Sequence, residues 1–276
     1  MRDANDAGVP GFHGMFAAMS KLDIFDHPAA DNLYGEAFAD FWNSYFSDDV
    51  SDIPVYQALL PAPGALVLDL ACGAGRIGIG LAQGGVRVDG LELSPSMLAL
   101  VERNLAAHPQ AVRERLSFHQ GDMCSFTLAQ RYDLIVLGTT SITLLPDAAA
   151  RAALFARVKA HLAPGGRFVF DLMDLGGDRW KSLDNYLDVW SRESDEGQEF
   201  AIVGQRFYPD QKRFTFNVYR EMIAWDGSTR RTLGTSTKTW IDVEAMPAEL
   251  AAAGLRLERQ FDQGGLRYFV AMAAGE

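Results

Sequence analysis

The chain has few cysteines and histidines, and these residues show no pattern of a disulfide-rich or metal-binding protein. Its 276 residues include two cysteines and five histidines. Cys72 and Cys124 supply neither a disulfide framework nor the spacing of a metal site, so both thiols are expected to stay reduced. His108, His119 and His161 show no metal-ligand spacing with one another either, and no bound metal is expected.

The chain also lacks long basic runs and long apolar runs. Its 25 Lys and Arg residues against 36 Asp and Glu residues give a net charge of −11, which argues against a nucleic-acid partner. This acidity suits an amine substrate, or serves solubility alone. No apolar stretch approaches a membrane span, and the first residues do not resemble a signal peptide. We therefore expect a cytoplasmic protein with no membrane partner, and the sequence leaves monomer and homodimer open.

The most informative segment present is residues 66–76, with the sequence LVLDLACGAGR. An apolar run typical of a strand contains Asp69 and breaks into a turn with Gly73 and Gly75, after which a helical pattern begins. Glu92 ends the next apolar run. The glycines let a ligand approach the backbone closely, and an acid at the end of the second strand can bind both hydroxyls of a ribose. The segment therefore predicts a strand–turn–helix–strand unit that binds a nucleoside.

Residues 73–78 (GAGRIG) match the G-x-G-x-x-G pattern that often binds a dinucleotide, although such a hexapeptide can also be a plain tight turn. Three features favour S-adenosylmethionine as the ligand instead. Asp69, before the first glycine, would attract a ligand ammonium group but repel a pyrophosphate. Asp122 and Met123 follow a third short strand and suit an exocyclic amine and a purine face. A second glycine turn, residues 161–166, leads from a helix into another strand.

Five segments resemble, in order, the successive motifs of class I S-adenosylmethionine-dependent methyltransferases: residues 67–76, 90–94, 121–123, 132–138 and 162–171. The resemblance implies an α/β fold with a Rossmann-like seven-stranded sheet and helices on both faces. It also implies cofactor binding at the carboxyl ends of the first, second and fourth strands, with S-adenosyl-L-homocysteine as a product. Within the class, residues 91–98 and 119–123 are similar to amine N-methyltransferases that act on small molecules and peptides in natural-product biosynthesis.

The cofactor site implied by these motifs takes residues from the strand ends and the turns that follow them. Ser94 is expected to cap a helix that begins at Pro95, and Met97 in that helix either faces the adenine or fills the core. The expected cofactor-binding residues are Asp69, Ala71, Gly73, Gly75, Arg76, Glu92, Leu93, Met97, Asp122, Met123, Leu137 and Gly138.

Four segments are expected along the chain. Residues 1–60, with a helical pattern from residue 15, form an N-terminal helical lid, and residues 61–174 form the cofactor-binding core. Residues 175–243 form an antiparallel β insertion that either caps the substrate pocket or pairs with a second copy, and residues 244–276 complete the core. Strands are predicted at residues 65–70, 87–91, 116–120, 132–137, 167–171, 186–192, 200–208, 213–225, 230–241, 255–261 and 266–272, and helices at 76–83, 147–162 and 247–253.

Candidate substrate contacts fall in the lid, in the loop after the fourth strand and in the insertion. The loop, residues 138–145, has no proline pair and no aromatic residue, unlike enzymes of this class that methylate base or amide nitrogens. Aromatic candidates serve equally well as core packing. The candidates are Tyr34, Trp42, Thr139, Thr140, Trp190, Arg206, Phe207, Tyr219 and Trp240.

The expected activity is N-methylation of an amine, either a peptide amino terminus or an aminosugar-type small molecule. Such a transfer requires mainly alignment of the reacting atoms and exclusion of water. No catalytic residue is identified with certainty, and Tyr34 and Asp171 are the candidates for accepting the amine proton. Methylation of oxygen or carbon on a natural product is the alternative. A binding protein without transfer activity is disfavoured, because the acids and glycines of the cofactor motifs are intact.

Overall fold

A computed structural model describes residues 11–25, 33–46 and 49–275, which form two compact units. The smaller unit joins the described residues up to Phe38 with Leu175–Trp240. The larger unit contains the described residues of Ala39–Asp174 and residues 241–275. Within these described ranges, none of the helices has both the length and the apolar character that a membrane crossing requires.

The elements are numbered here in chain order. The helices are α1 (Gly14–Met19), α2 (Glu36–Phe46), α3 (Ile53–Gln57), α4 (Arg76–Gln83), α5 (Pro95–Ala106), α6 (Gln110–Arg113), α7 (Ala148–His161) and α8 (Met246–Ala252). The strands are β1 (Leu66–Leu70), β2 (Arg87–Glu92), β3 (Leu116–Gln120), β4 (Tyr132–Leu137), β5 (Leu162–Met173), β6 (Tyr186–Ser194), β7 (Gly197–Tyr208), β8 (Arg213–Ala224), β9 (Thr229–Thr239), β10 (Leu255–Gln263) and β11 (Leu266–Ala273).

The larger unit contains the expected seven-stranded sheet, in the order β10-β11-β5-β4-β1-β2-β3. Strands β1 to β5 pair in parallel, and β11 pairs antiparallel with both β5 and β10. The strand order reverses between β1 and β4. In open α/β sheets, ligands bind outside the carboxyl ends of the strands at such a reversal point.

Both faces of this sheet are buried, because its central strands are apolar at nearly every position. Leu68 and Ile135 belong to a core cluster that includes side chains of α7 and α8. Val67 and Val136, which alternate with them along the strands, belong to a second cluster with side chains of α3 and α4. The predicted Rossmann-like fold with helices on both faces is therefore confirmed.

Most predicted element bounds in this unit agree with the structure to within two residues, and β3, β4 and α4 agree fully. The start of β5 differs. A glycine turn was expected between α7 and a strand beginning at residue 167, but β5 begins at Leu162. The strand accommodates the glycines through an irregularity in its pairing with β4, and Gly165 has a φ of +72°.

The smaller unit contains the predicted antiparallel sheet, in the order β6-β7-β8-β9. Asp226 and Gly227 form the turn between β8 and β9, as the Asp-Gly pair predicts, and Gly227 has the positive φ of +84° that this turn needs. One sheet face is covered by the N-terminal segment, where Phe16 and Phe25 pack against Tyr219 and Leu233.

The N-terminal helical pattern is divided more finely than the sequence indicates. Instead of a continuous helical segment from residue 15 to residue 60, the structure shows the short helices α1, α2 and α3. Of the stretch 1–14, for which no regular structure is expected, residues 1–10 lie outside the described residues, and α1 already begins at Gly14. Residues up to Phe38 and residues from Ala39 onward belong to different units. The function of residues 1–60 as a lid stays a prediction.

A buried ion-pair network crosses the insertion sheet. The Glu199 side chain has 0% exposure and accepts hydrogen bonds from Arg192 Nε at 2.8 Å and from Arg220 Nε. Arg220 also donates to the backbone oxygen of Ala37 at 2.9 Å. The carboxylate therefore joins β6, β7 and β8 and, through Arg220, the first turn of α2.

Replacing Glu199 with alanine should destabilise the smaller unit by about 3–5 kcal/mol, because two arginines would lose their buried partner. Glu193→Gln is the control, since Glu193 is exposed on the edge strand β6 and its loss should change stability by less than about 0.5 kcal/mol. Urea unfolding followed by tryptophan fluorescence measures both variants. Equal stability of the two variants would contradict a structural role for the Glu199 network.

Candidate active site

The turn between β1 and α4 lies at the carboxyl edge of the sheet and has an unusual backbone. Ala71, Gly73 and Gly75 all have positive φ angles, of 51°, 57° and 89°. Left-handed backbone is accessible to glycine but costs a residue with a side chain about 1–2 kcal/mol. The two glycines therefore permit the reversal, and Ala71 holds local strain of the kind that clusters at functional sites.

Asp69 lies beneath this turn, near the end of β1, with 1% exposure. Its Oδ2 accepts a hydrogen bond from the backbone N–H of Gly78 at 3.0 Å. Its Oδ1 is buried and has no hydrogen-bond partner among the described residues. Burial raises the pKa of Asp69 to about 7, against the lowering effects of the Gly78 N–H and the Arg76 guanidinium. A buried oxygen without a donor fits the ammonium group of the expected cofactor.

Glu92, the last residue of β2, is 9% exposed and holds two backbone segments together. Its Oε2 accepts from the backbone N–H of Gly73 at 2.9 Å, and its Oε1 accepts from the backbone N–H of Ser94 at 2.8 Å. Each carboxylate oxygen has two lone pairs. Glu92 therefore retains one acceptor position on each oxygen, which fits the two hydroxyls of a ribose.

The start of α5 supports the same site. Ser94 is the predicted N-cap, with its Oγ accepting from the Met97 N–H at 3.3 Å, and Pro95 is the first helical residue. The buried Met97 lies close to Gly73, where a Cβ would meet its Cε at 3.2 Å. Leu93 is 64% exposed at the strand end, so its side chain is accessible to a ligand.

Asp122 and Met123 follow β3. Asp122 is exposed, and its Oδ1 accepts from the Cys124 N–H at 2.8 Å. Met123 is half-buried against the main core cluster. An exposed carboxylate beside an apolar side chain suits the amine and face of a purine, but both contacts stay predictions.

The loop after β4 has a second strained turn. Leu137 and Gly138 are buried, and the next residues, Thr139 and Thr140, have φ angles of 57° and 54°. Two consecutive left-handed β-branched residues are a genuine outlier. Gly138 has no room for a side chain, because a Cβ would lie 2.5 Å from the hydroxyl of Tyr56.

Arg76 reaches this loop from the start of α4. Its guanidinium makes a bidentate ion pair with Asp52, at 2.6 Å and 2.7 Å, and donates to Thr139 Oγ1 at 3.1 Å. It also donates to the backbone oxygen of Asp49. Because these partners already occupy the guanidinium, a direct contact between Arg76 and the cofactor stays a prediction.

Asp171 lies in β5 beside the same loop, with 0% exposure. Its Oδ1 accepts from the Thr140 N–H at 2.5 Å, and its Oδ2 accepts from the Tyr56 hydroxyl at 3.2 Å. Burial raises the pKa of Asp171 to about 6, although both of these hydrogen bonds lower it. Asp171 is thus close to the expected reaction site, but both of its oxygens have protein partners.

Asp52 and Tyr56 are parts of this site that the sequence analysis missed. Both belong to the segment around α3, where the sequence shows only a helical pattern. The hydrogen-bond partner of Tyr56, Asp171, is 115 positions away. No local motif marks them. The nearest signal in the sequence is an acid followed by Pro54 at a helix start, which is common and carries no chemistry.

The structure places the substrate candidates of the insertion on two different faces of its sheet. Strand pairing puts Trp190 and Phe207 on one face, and Arg206 and Tyr219 on the other. These four side chains therefore do not share one face of the sheet, and substrate contact by each of them stays a prediction. Within the smaller unit, Phe207 stacks on Phe214, the Tyr219 hydroxyl donates to Glu221, and Trp240 packs against Trp180 and Phe207.

The two candidates near α2 differ in exposure. Trp42 is 6% exposed and packs among the rings of Phe41, Tyr45 and Phe46, so its position is explained by core packing. Tyr34 is half-buried. Substrate contact by either residue stays a prediction. Among the described residues there is no group of three or more His, Cys, Asp or Glu side chains that could hold a metal ion.

Comparison with known sequences finds proteins that are described as methyltransferases. A family profile described as "Methyltransferase domain" matches residues 67–166. The chain is 28% identical over 219 residues to the cypemycin N-terminal methyltransferase of Streptomyces sp, covering 75% of this chain and 82% of that protein. It is 37% identical over 107 residues, 39% of each chain, to the dTDP-3-amino-3,6-dideoxy-alpha-D-glucopyranose N,N-dimethyltransferase of Streptomyces fradiae.

Comparison with solved structures points the same way. The fold is similar to the X-ray structure of the sugar N-methyltransferase KedS8 from Streptoalloteichus sp, with a TM-score of 0.69 and 25% identity over 87% of this chain and 94% of that chain. The profile match spans β1 to β5 and includes Asp69, Glu92 and Asp122. With the sheet order, the strand-end carboxylates and these relatives in agreement, the chain contains a methyltransferase domain with the fold of S-adenosylmethionine-dependent methyltransferases.

Proposed function

We propose that this methyltransferase N-methylates an amine in natural-product biosynthesis, either the amino terminus of a peptide or an aminosugar-type small molecule. The observation that carries the proposal is the similarity to an N-terminal methyltransferase over 82% of that relative's length. The loop after β4, which lacks a proline pair and an aromatic residue, is consistent with an amine rather than a base or amide nitrogen. The net charge of −11 favours the approach of a cationic acceptor.

The cofactor residues divide by the part of the ligand that their chemistry suits. Asp69 would hold the ammonium group through Oδ1, and Glu92 would hold the ribose hydroxyls. Asp122 would accept a hydrogen bond from the adenine amine, with Leu93, Met97 and Met123 as its apolar surroundings. Ala71, Gly73, Gly75, Leu137 and Gly138 would supply closely approaching backbone, and a contact from Arg76 stays a prediction.

When bound, S-adenosylmethionine supplies a sulfonium-activated methyl group. The contribution of the protein is then to align the amine with that group and to exclude water, which lowers the barrier without strong acid–base chemistry. An alkylammonium must first lose a proton, and Tyr34, Asp171 or solvent are the acceptors proposed from sequence. A monomer or homodimer, a cytoplasmic location and the absence of nucleic-acid partners stay predictions.

The acceptor class can be tested by mass spectrometry. Purified protein with S-adenosylmethionine should add about 14 mass units to a peptide with a free amino terminus or to an aminosugar nucleotide, since each methyl replaces one hydrogen on the amine nitrogen. The same peptide with an acetylated amino terminus, and a phenol of similar size, are the matched controls. Transfer to the phenol but to neither amine would contradict N-methylation and favour the oxygen-directed alternative.

Glu92→Ala should weaken S-adenosylmethionine binding by about 1–3 kcal/mol, because the ribose hydroxyls and the Gly73 N–H lose their acceptor. Isothermal titration calorimetry measures the change. Glu102→Ala, an exposed carboxylate on α5, is the control and should leave the affinity unchanged. Unchanged affinity in Glu92→Ala would rule out the ribose assignment.

Binding of S-adenosylmethionine should strengthen about tenfold between pH 6 and pH 8 in the wild type. Asp69, whose pKa is raised to about 7, is mostly protonated at the lower pH, and a ligand ammonium group favours its ionised form. Binding below pH 7 should therefore release a proton, which calorimetry in two buffers of different ionisation heat detects. Asp69→Asn should bind more weakly and lose this pH dependence. Proton uptake on binding would contradict the assignment.

A further inference from the structure

The loop Gly138–Thr139–Thr140 is held from two sides by hydrogen-bonded side chains. Its two left-handed threonines persist only if surrounding contacts overdetermine their conformation. On one side, Asp171 accepts the Thr140 N–H, and Tyr56 donates to Asp171. On the other side, Asp52 orients the guanidinium of Arg76 toward the Thr139 hydroxyl.

We propose that Asp52, Tyr56 and Asp171 are positioning residues for methyl transfer, which act by fixing the backbone of this loop at the carboxyl end of β4. The loop follows the strand that pairs with β1, so it begins beside the strand that contains Asp69. A shift of the loop would change the alignment on which the reaction depends, even where no reacting atom is touched.

Direct proton acceptance by Asp171 is the competing role, and the contacts favour positioning. The side chain is completely buried, with one oxygen on the Thr140 N–H and the other on the Tyr56 hydroxyl. A proton acceptor must come within hydrogen-bond reach of the substrate nitrogen. Asp171 instead reaches the site through Thr140, whose backbone conformation it stabilises.

Tyr56 fixes the same loop by contact as well as by hydrogen bonding. A Cβ added to Gly138 would lie 2.5 Å from the Tyr56 hydroxyl and 2.6 Å from Ile77 Cδ1. Burial and the nearby carboxylates of Asp171 and Asp52 raise the pKa of Tyr56, so the phenol keeps its proton and remains a donor to Asp171. The loop is therefore confined by packing at its start and by hydrogen bonds at its next two residues.

Substitutions at Asp171 separate the two roles. Asp171→Asn keeps an acceptor for the Thr140 N–H and can donate to the Tyr56 oxygen, but it cannot accept a proton from an ammonium group. Asp171→Ala removes both functions. Hydrogen–deuterium exchange of peptides covering residues 138–145, in the free protein and with S-adenosyl-L-homocysteine, reports on the loop independently of any acceptor. Transfer rates are measured with the acceptor that gains mass in the screen.

Positioning predicts exchange in Asp171→Asn within about threefold of the wild type, and exchange about tenfold faster in Asp171→Ala. It also predicts that Asp171→Asn retains kcat to within about tenfold, with an unchanged pH profile. Tyr56→Phe, which keeps the ring and is the safer variant for folding, should accelerate loop exchange and lower kcat more than it raises the KM for S-adenosylmethionine.

Asp52→Asn should likewise accelerate exchange at Thr139, since the guanidinium of Arg76 would lose its bidentate partner. Glu249→Gln is the matched control, because Glu249 makes a similar bidentate ion pair with Arg151 at 2.7 Å, between α7 and α8. It should leave exchange of the loop unchanged. Equal effects of Asp52→Asn and Glu249→Gln on the loop would contradict a specific role for Asp52.

Loss of kcat in Asp171→Asn with normal loop exchange would overturn the proposal and identify Asp171 as the proton acceptor. Normal exchange in both Asp171→Ala and Tyr56→Phe would also overturn it, because the loop would then be held by other contacts. The exchange result is independent of the acceptor class. An error in the proposed N-methylation would therefore leave the exchange experiment interpretable.

Discussion

Hydrogen bonds from backbone N–H groups to two carboxylates at strand ends hold the turn between β1 and α4. The rest of the proposed cofactor site depends on that turn. Asp69 accepts from Gly78, while Glu92 accepts from Gly73 and Ser94. Neither carboxylate is saturated by these bonds, and one oxygen of Asp69 has no donor among the described residues. The same groups that fix the turn therefore present acceptors for an ammonium group and a pair of hydroxyls. In the proposed binding mode, fold and cofactor recognition share these two side chains, so substitution of either should affect both.

The second strained turn, after β4, contributes hydroxyl and backbone groups to the site instead of carboxylates. Thr139 and Thr140 offer hydroxyls and backbone at the carboxyl edge of the sheet, but no residue there is a strong base. Asp171, the carboxyl closest to this loop, is engaged by Thr140 and Tyr56. This arrangement is consistent with a reaction in which an activated methyl group needs an aligned nucleophile more than a proton acceptor. Rigidity of the loop is then the property that the surrounding side chains maintain.

The sequence predicted the sheet well because β1 and β4 are largely apolar runs and β2 contains Val88 and Leu91 between its charged residues. All three strands end at turn residues, a pattern visible within ten positions. Asp69 and Glu92 were predictable for the same reason, since each marks the end of such a run. Tyr56 was not, because its role arises from a hydrogen bond to Asp171, 115 positions away. The division of the N-terminal segment was equally hidden, since His13 is held by Asn217 at a separation of 204 residues. Strand register also decided which face of the insertion carries Trp190 and which carries Tyr219, and no local pattern encodes register.

The central claim is that Asp69 and Glu92 together bind S-adenosylmethionine, Asp69 through the ammonium group and Glu92 through the ribose hydroxyls. A crystal structure of the protein with S-adenosyl-L-homocysteine tests it most directly. The account predicts electron density for the ribose with both hydroxyls within hydrogen-bond distance of Glu92, and the amino group beside Oδ1 of Asp69. Density for the ligand elsewhere on the protein, or a ribose turned away from Glu92 in a fully occupied site, would contradict it.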